Sequence, residues 1–241
     1  MDATDLEHHD SDANDLNDRR LMATRAGDAR KVRELLAAGG MPDAPPDQMM
    51  DPMREELLAT GVFAQLVAML GDGTAEDRAA AAETLWKLSC NAANTAAIAA
   101  AGAIGPLAAL VRDGDPQGKA NAAVALANLT NGDAANTAAI AAAGAIGPLK
   151  ALVRDGDPQG KADAAVALAH LSNDNTANTA AIAASGAIGP LAALVRDGDA
   201  LGKANAAAAL WYLALGDAAI KAAIVAAVSY THLTLPTIYS V

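Results

Sequence analysis

Cysteine is almost missing from this chain. Cys90 is the one copy in 241 residues, so no internal disulfide and no thiolate metal cluster can form. That usage fits a reducing compartment, and the expected location is the cytoplasm, with the nucleus as a second location. Aromatic side chains make up 2% of the residues, which excludes a thick core built around large rings. No apolar run approaches the roughly 20 residues of a membrane span, and no secretory signal is present. Asp2 rather than glycine follows Met1, so this start cannot be N-myristoylated. Histidine is scarce too: His8 and His9 near the start, His170, and His232 near the end. No HExxH, GxSxG, P-loop or dinucleotide fingerprint occurs. No catalytic residue, cofactor or metal is therefore expected, and the chain is read as a non-enzyme.

Positive charge is absent from the first eighteen residues, which hold seven acids (Asp2, Asp5, Glu7, Asp10, Asp12, Asp15 and Asp18) of a chain with net charge −11. Residues 1–18 read as an acidic, disordered, solubilising arm. The acidic balance argues against nucleic acid as a partner, because phosphate contacts need clustered lysine and arginine.

What the chain has in abundance is alanine, which lets helices pack with their axes close together and has the best helix propensity. It also repeats. Residues 102–143 read GAIGPLAALVRDGDPQGKANAAVALANLTNGDAANTAAIAAA, and residues 144–185 match them at all but about eight positions. A looser copy occupies 61–101 and another 186–227. A period of 42 residues signals a solenoid. One unit offers few large aliphatics, among them Leu107, Leu110, Leu126, Leu129 and Ile140. Their burial falls well short of the entropy lost on ordering the unit. Neighbouring units must share their faces.

The punctuation within a unit predicts three helices. Asp133 caps a short one that stops at Gly144. Gly105-Pro106 opens a second with Pro106 at its first position, ending at Asp113-Gly114. Asp115-Pro116 starts the third and longest, which runs to about Thr130, with Ala123, Leu126 and Leu129 at helical spacing toward the stack. The paired aspartates of each Asp-Gly-Asp turn lack the further ligands of a calcium loop and are read as helix caps. The sequon at Asn128 lies inside a helix and is dismissed.

The string AGAIGPLAALVRDGDPQGKANAAVALANLT resembles the armadillo repeat, with its Gly-Ala-Ile-Pro-x-Leu second helix and Ala-x-x-Ala-Leu-x-Asn-Leu third helix. The resemblance covers residues 61–227 as four units (61–101, 102–143, 144–185 and 186–227). It implies an all-α fold, a right-handed superhelical α-solenoid with three helices per unit and the third helices lining a concave groove. Residues 19–44 are similar to one ankyrin helix pair, or equally to a capping pair, and 45–60 read as a linker and lead-in helix. Residues 228–241 break the period. Their first ten, Val228 to Thr237, resemble a translated sequencing adapter, so this tail is read as non-native and the natural chain is expected to continue past Ala227.

Differences among near-identical copies point to function. One register of the third helix carries Lys87, Asn128, His170 and Tyr212, and another, about two turns earlier, carries Asn121, Asp163 and Asn205. By the resemblance this ridge faces the groove, where it could bind an extended polypeptide at about three residues per unit, given helices about 10 Å apart and a strand rise of about 3.3 Å. The other reading is a row of solvated helix residues. The import receptors of the family place tryptophan four residues before the ridge asparagine; here Glu83, Val124, Val166 and Ala208 stand there, which argues against a nuclear-localisation-signal receptor. Trp86 and Trp211 lie one residue before the ridge and are expected to pack in the core or at its edge. The expected function is a monomeric, non-catalytic scaffold binding other proteins through extended peptide segments. The alternative is the substrate-recognition portion of an armadillo-type ubiquitin ligase whose catalytic domain lies outside this sequence. Attachment to a vesicle or vacuolar membrane by a lipid anchor is a third reading, weakened by Asp2.

Overall fold

The computed structural model describes residues 61–229. The acidic arm, the ankyrin-like or capping segment, the linker and nearly all of the suspect tail lie outside these residues. Twelve α-helices and no strand make up the described part, an all-α solenoid. In chain order they are α1 (Val62–Asp72), α2 (Ala75–Ser89), α3 (Ala92–Ala100), α4 (Ile104–Asp113), α5 (Pro116–Leu129), α6 (Ala134–Ala142), α7 (Ile146–Asp155), α8 (Pro158–Ser172), α9 (Thr176–Ala184), α10 (Ile188–Asp197), α11 (Ala200–Ala214) and α12 (Ala218–Ser229).

The helix boundaries follow from local chemistry. Each short helix ends in the hydrogen-bond pattern of a left-handed C-terminal cap. After α3, Gly102 N–H donates to Ala99 O (2.9 Å) and Ala103 N–H to Ile98 O (3.3 Å), with Gly102 at φ 85°. Gly144 and Gly186 repeat this at φ 77° and 81°. Because Gly102 turns the chain so sharply, the following helix starts at once, at Ile104 rather than Pro106. Pro106 therefore occupies the third helical position, not the first. The missing N–H is still harmless there, since none of the opening N–H groups has an intrahelical acceptor.

The long helices α5, α8 and α11 start on Asp115, Asp157 and Asp199, whose carboxylates accept from the N–H of Gly118 (2.6 Å), Gly160 (2.7 Å) and Gly202 (2.7 Å). A Cβ at Gly118 would come 2.8 Å from Asp115 Oδ1, so glycine is what leaves room for this cap. In α2 the same task falls to Thr74 and Asp77, which bond reciprocally as a capping box.

Packing runs in two layers with the short helices as links. The third helices α2, α5, α8 and α11 pack side by side in that order, and α1, α4, α7 and α10 each pack on the third helix of their own unit. Between the layers lies one continuous core in which Leu66, Leu85, Leu107, Leu126, Leu149, Leu168 and Leu191 are fully buried. Small residues set the spacing: Ala122, Ala123, Ala164 and Ala165 are completely inaccessible. Buried asparagines tie the short helices back, with Asn94, Asn136 and Asn178 donating to Leu88 O, Leu129 O and Leu171 O at 3.0–3.1 Å. No single described helix is long and apolar enough to cross a membrane.

Candidate functional site

A third helix covered by its own second helix and by the neighbouring third helices keeps one stripe open along its length, apart from a lysine near its start (Lys119 in α5, Lys161 in α8). In α5 this is Gln117, Val124 and Asn128, and in α8 it is Gln159, Asp163, Val166 and His170. The ridge residues foreseen from the sequence lie on or beside this stripe, but they do different work.

Asn121 is buried (4% exposed), and its amide donates to Ala79 O of the preceding third helix at 3.1 Å. Asn205 does the same to Ala162 O, also at 3.1 Å. These two are stitches between units. Asp163 occupies the same register and has no N–H to offer; it accepts from Gln159 Nε2 at 2.9 Å. Burial holds its carboxyl above the ordinary value, opposed by the Gln159 hydrogen bond and reinforced by the Asp157 charge.

In the later register, Lys87 pairs with Glu83 on its own helix at 2.7 Å, and both remain about half exposed. Asn128 reaches back to Ser89 Oγ at 3.1 Å. His170 Nδ1 lies 3.0 Å from Ala127 O. Because a carbonyl can only accept, Nδ1 carries the proton, and in the neutral ring Nε2 is left as an acceptor. Tyr212 is half-buried, and its ring meets that of Trp211 edge-on, centroids 4.8 Å apart.

His170 and Tyr212 also line a cavity of about 420 Å³ between the turns that follow α5 and α8. Thr130, Asn131, Asp133 and Asp174 complete much of its wall. Asp133 is engaged as the cap of α6, accepting from Ala135 N and Asn136 N at 2.9 Å. Asp174 is exposed and adopts φ 50°, the left-handed region, where the preceding copy has Gly132 at φ 72°. A non-glycine residue there is strained. The turn residues were not foreseen as part of a site, although the exchange of Gly132 for Asp174 between near-identical copies was visible. Among the described residues no group of three or more His, Cys, Asp or Glu could hold a metal ion. The two tryptophans diverge: Trp86 packs partly buried against the core, as expected, whereas Trp211 is 58% exposed.

The armadillo/beta-catenin-like repeat family matches residues 91–131 and 175–215, each spanning a short, a middle and a long helix in that order. Solved structures with the same fold include an engineered protein at 26% identity and TM-score 0.68, covering 72% of each chain. A computationally designed armadillo repeat protein for modular peptide recognition superposes at TM-score 0.71 with 24% identity, covering 87% of this chain and 82% of that one. The described residues have the armadillo-repeat fold, and residues 91–131 and 175–215 match that family's repeat. A designed armadillo repeat protein in complex with the peptide (KR)4 is a further structural neighbour, at TM-score 0.69 and 22% identity, covering 89% of this chain and 84% of that one. No curated protein matches the sequence significantly. In armadillo terms α3–α5, α6–α8 and α9–α11 are complete units, while α1–α2 and α12 belong to flanking ones.

Proposed function

We propose that this armadillo array is a non-catalytic scaffold that binds an extended segment of a partner protein along the open stripe of α2, α5, α8 and α11. A cationic side chain of that segment sits in the cavity between the turns after α5 and α8. The observation that carries this reading is the pair of carboxylates, Asp133 and Asp174, in the cavity wall. The Asp174 carboxylate accepts, and the Asn131 amide oxygen and the Nε2 of a neutral His170 ring add further acceptors. A guanidinium, with five donors and no acceptor, complements such a wall best. Val124 and Val166 keep the neighbouring stripe low, so that a backbone can approach it. The designed neighbours whose descriptions name peptide recognition and a (KR)4 peptide give structural precedent for the mode.

The test is fluorescence anisotropy with a labelled ten-residue peptide carrying a central arginine, beside the same peptide with citrulline there. The arginine peptide should bind at least tenfold tighter, and its affinity should fall with rising salt. Asp174→Ala and Tyr212→Ala should each weaken it several-fold without loss of helicity. Equal affinity for both peptides, or binding indifferent to both variants, would sink the reading.

A further inference from the structure

The chain holds four Asp-Gly pairs and a single Asn-Gly pair, which share one latent reaction and are treated differently by the fold. In such a pair the backbone nitrogen of the glycine can close on the side-chain carbonyl carbon of the residue before it, since glycine has no Cβ to crowd the approach. The attack needs a backbone N–H that no acceptor holds and a side chain free to rotate. In the Asp-Gly pairs the nitrogen is held. Gly73, Gly114, Gly156 and Gly198 donate to Met69 O, Leu110 O, Leu152 O and Leu194 O at 2.8–3.0 Å. The side chains of Asp113, Asp155 and Asp197 are bonded as well, each to the arginine before it.

Asn131-Gly132 stands in the turn between α5 and α6 and lacks both restraints. The N–H groups on either side are bonded, Asn131 to Asn128 O and Asp133 to Thr130 O, both at 3.1 Å. Among the described residues nothing accepts from the Gly132 N–H between them, and the Asn131 side chain makes no hydrogen bond. Both residues are exposed. Gly132 turns through φ 72°, and the space where a Cβ would stand is open. The next unit supplies a built-in comparison: its matching residue, Asn173, is followed by Asp174. The Cβ of Asp174 crowds the ring that would form, and its charge opposes loss of the N–H proton.

We propose that Asn131 is a self-modifying position, converted without an enzyme to isoaspartate and aspartate. The Gly132 nitrogen gives its proton to solvent hydroxide and attacks Asn131 Cγ. A Cγ–N bond forms, the Cγ–Nδ2 bond breaks, and the amide group leaves as ammonia with a proton from water. A five-membered imide remains. Water then adds to one of its two carbonyls and opens the ring, with no oxidant or reductant involved. Opening at Cγ gives aspartate. Opening at the backbone carbonyl gives isoaspartate, in which the main chain runs through the former side chain. Either product adds a carboxylate at a residue of the cavity wall that already carries Asp133 and Asp174. The charge of that wall therefore grows more negative as the protein ages, whatever ligand the cavity takes.

Peptide mapping by mass spectrometry tests this on the full chain, held for weeks at neutral and at mildly alkaline pH. Asn131 should lose its amide at least about tenfold faster than Asn173, with isoaspartate among the products. The loss should speed up at the higher pH, because the nucleophile is the deprotonated nitrogen. Asp113, Asp155 and Asp197 should gain no isoaspartate in the folded protein, and should accumulate it once urea frees the glycine N–H groups. Gly132→Asp, which copies the turn of the next unit, should slow the reaction at Asn131 at least about tenfold. Full retention of the Asn131 amide would overturn the proposal. So would conversion of Asn173 at the same rate, isomerisation of the Asp-Gly pairs as fast in the folded protein as in urea, or a Gly132→Asp rate equal to that of wild type.

Discussion

Three junctions join the four long helices, and one of them differs from the other two. Between α2 and α5 the Asn121 amide crosses to Ala79 O, and between α8 and α11 the Asn205 amide crosses to Ala162 O. Between α5 and α8 the equivalent residue is Asp163, and the equivalent acceptor is Ala120 O. An ionised carboxylate has no proton to give, so the middle junction forgoes this particular cross-helix bond, and Asp163 accepts from Gln159 of its own helix instead. Near-identical units can therefore be joined unequally by exchanging one amide for one carboxylate. The exchanged residue falls in the middle of the stripe, beside the His170 cavity, and the middle junction keeps a cross-helix bond from His170 Nδ1 to Ala127 O at 3.0 Å.

Exchanging the two junction types should produce the largest effect. Asn121→Asp imposes the middle chemistry on a site that is almost completely buried, and should destabilise the fold by about 2–3 kcal/mol in denaturant titration. A loss below about half a kcal/mol would mean that the stitch contributes little. The reverse exchange, Asp163→Asn, supplies the missing donor and should stabilise by about 1 kcal/mol; destabilisation would show that Asp163 has a partner the amide cannot serve.

Acidity should sharpen the contrast further. Burial raises the folded-state value of Asp163 above its unfolded value, so folding favours the protonated form. Its contribution is fully present below the ordinary carboxylate range and is lost as pH rises through the raised folded value. The thermal midpoint of Asp163→Asn minus that of wild type should consequently widen as pH climbs through that window and narrow on acidification. Working with the difference removes the exposed pairs, since Asp155 and Asp197, held below the usual range by hydrogen bonds from Arg154 and Arg196, titrate with the opposite sign in both proteins. A gap independent of pH would remove Asp163 from the account.

The smallest effect is expected beside the cavity. Asp174→Gly relieves a left-handed backbone position and should raise stability by a few tenths of a kcal/mol, while weakening binding of the arginine peptide. Unchanged binding would separate the turn from the site.

Much of the fold was legible because a solenoid is local. The 42-residue period, the aspartate caps and the glycine stops act within a few residues of one another, so α5, α6 and their copies could be bounded nearly to the residue. Pro106 was misplaced by two positions because the cap at Gly102 turns the chain earlier than proline punctuation suggests. The ridge was legible as a register but not as a division of labour. Asn121 and Asn128 look alike in a string, yet one is buried against the previous helix and the other half-open, which depends on how closely two long helices approach. Trp86 and Trp211 share a register as well, and what separates them is that α5 packs over one while no described long helix follows α11 over the other.

What the amino-acid order determined unaided was the repeating unit, its three helices and the need for units to stack, because helix propensity, caps and apolar spacing are properties of short stretches. The tertiary structure alone decided which polar side chains became stitches and which stayed open, that His170 presents Nε2, and that Asp174 shares a cavity with Tyr212 from the next unit. Those outcomes depend on contacts between residues about forty positions apart, whose geometry is set by how alanine-lined helices settle against one another.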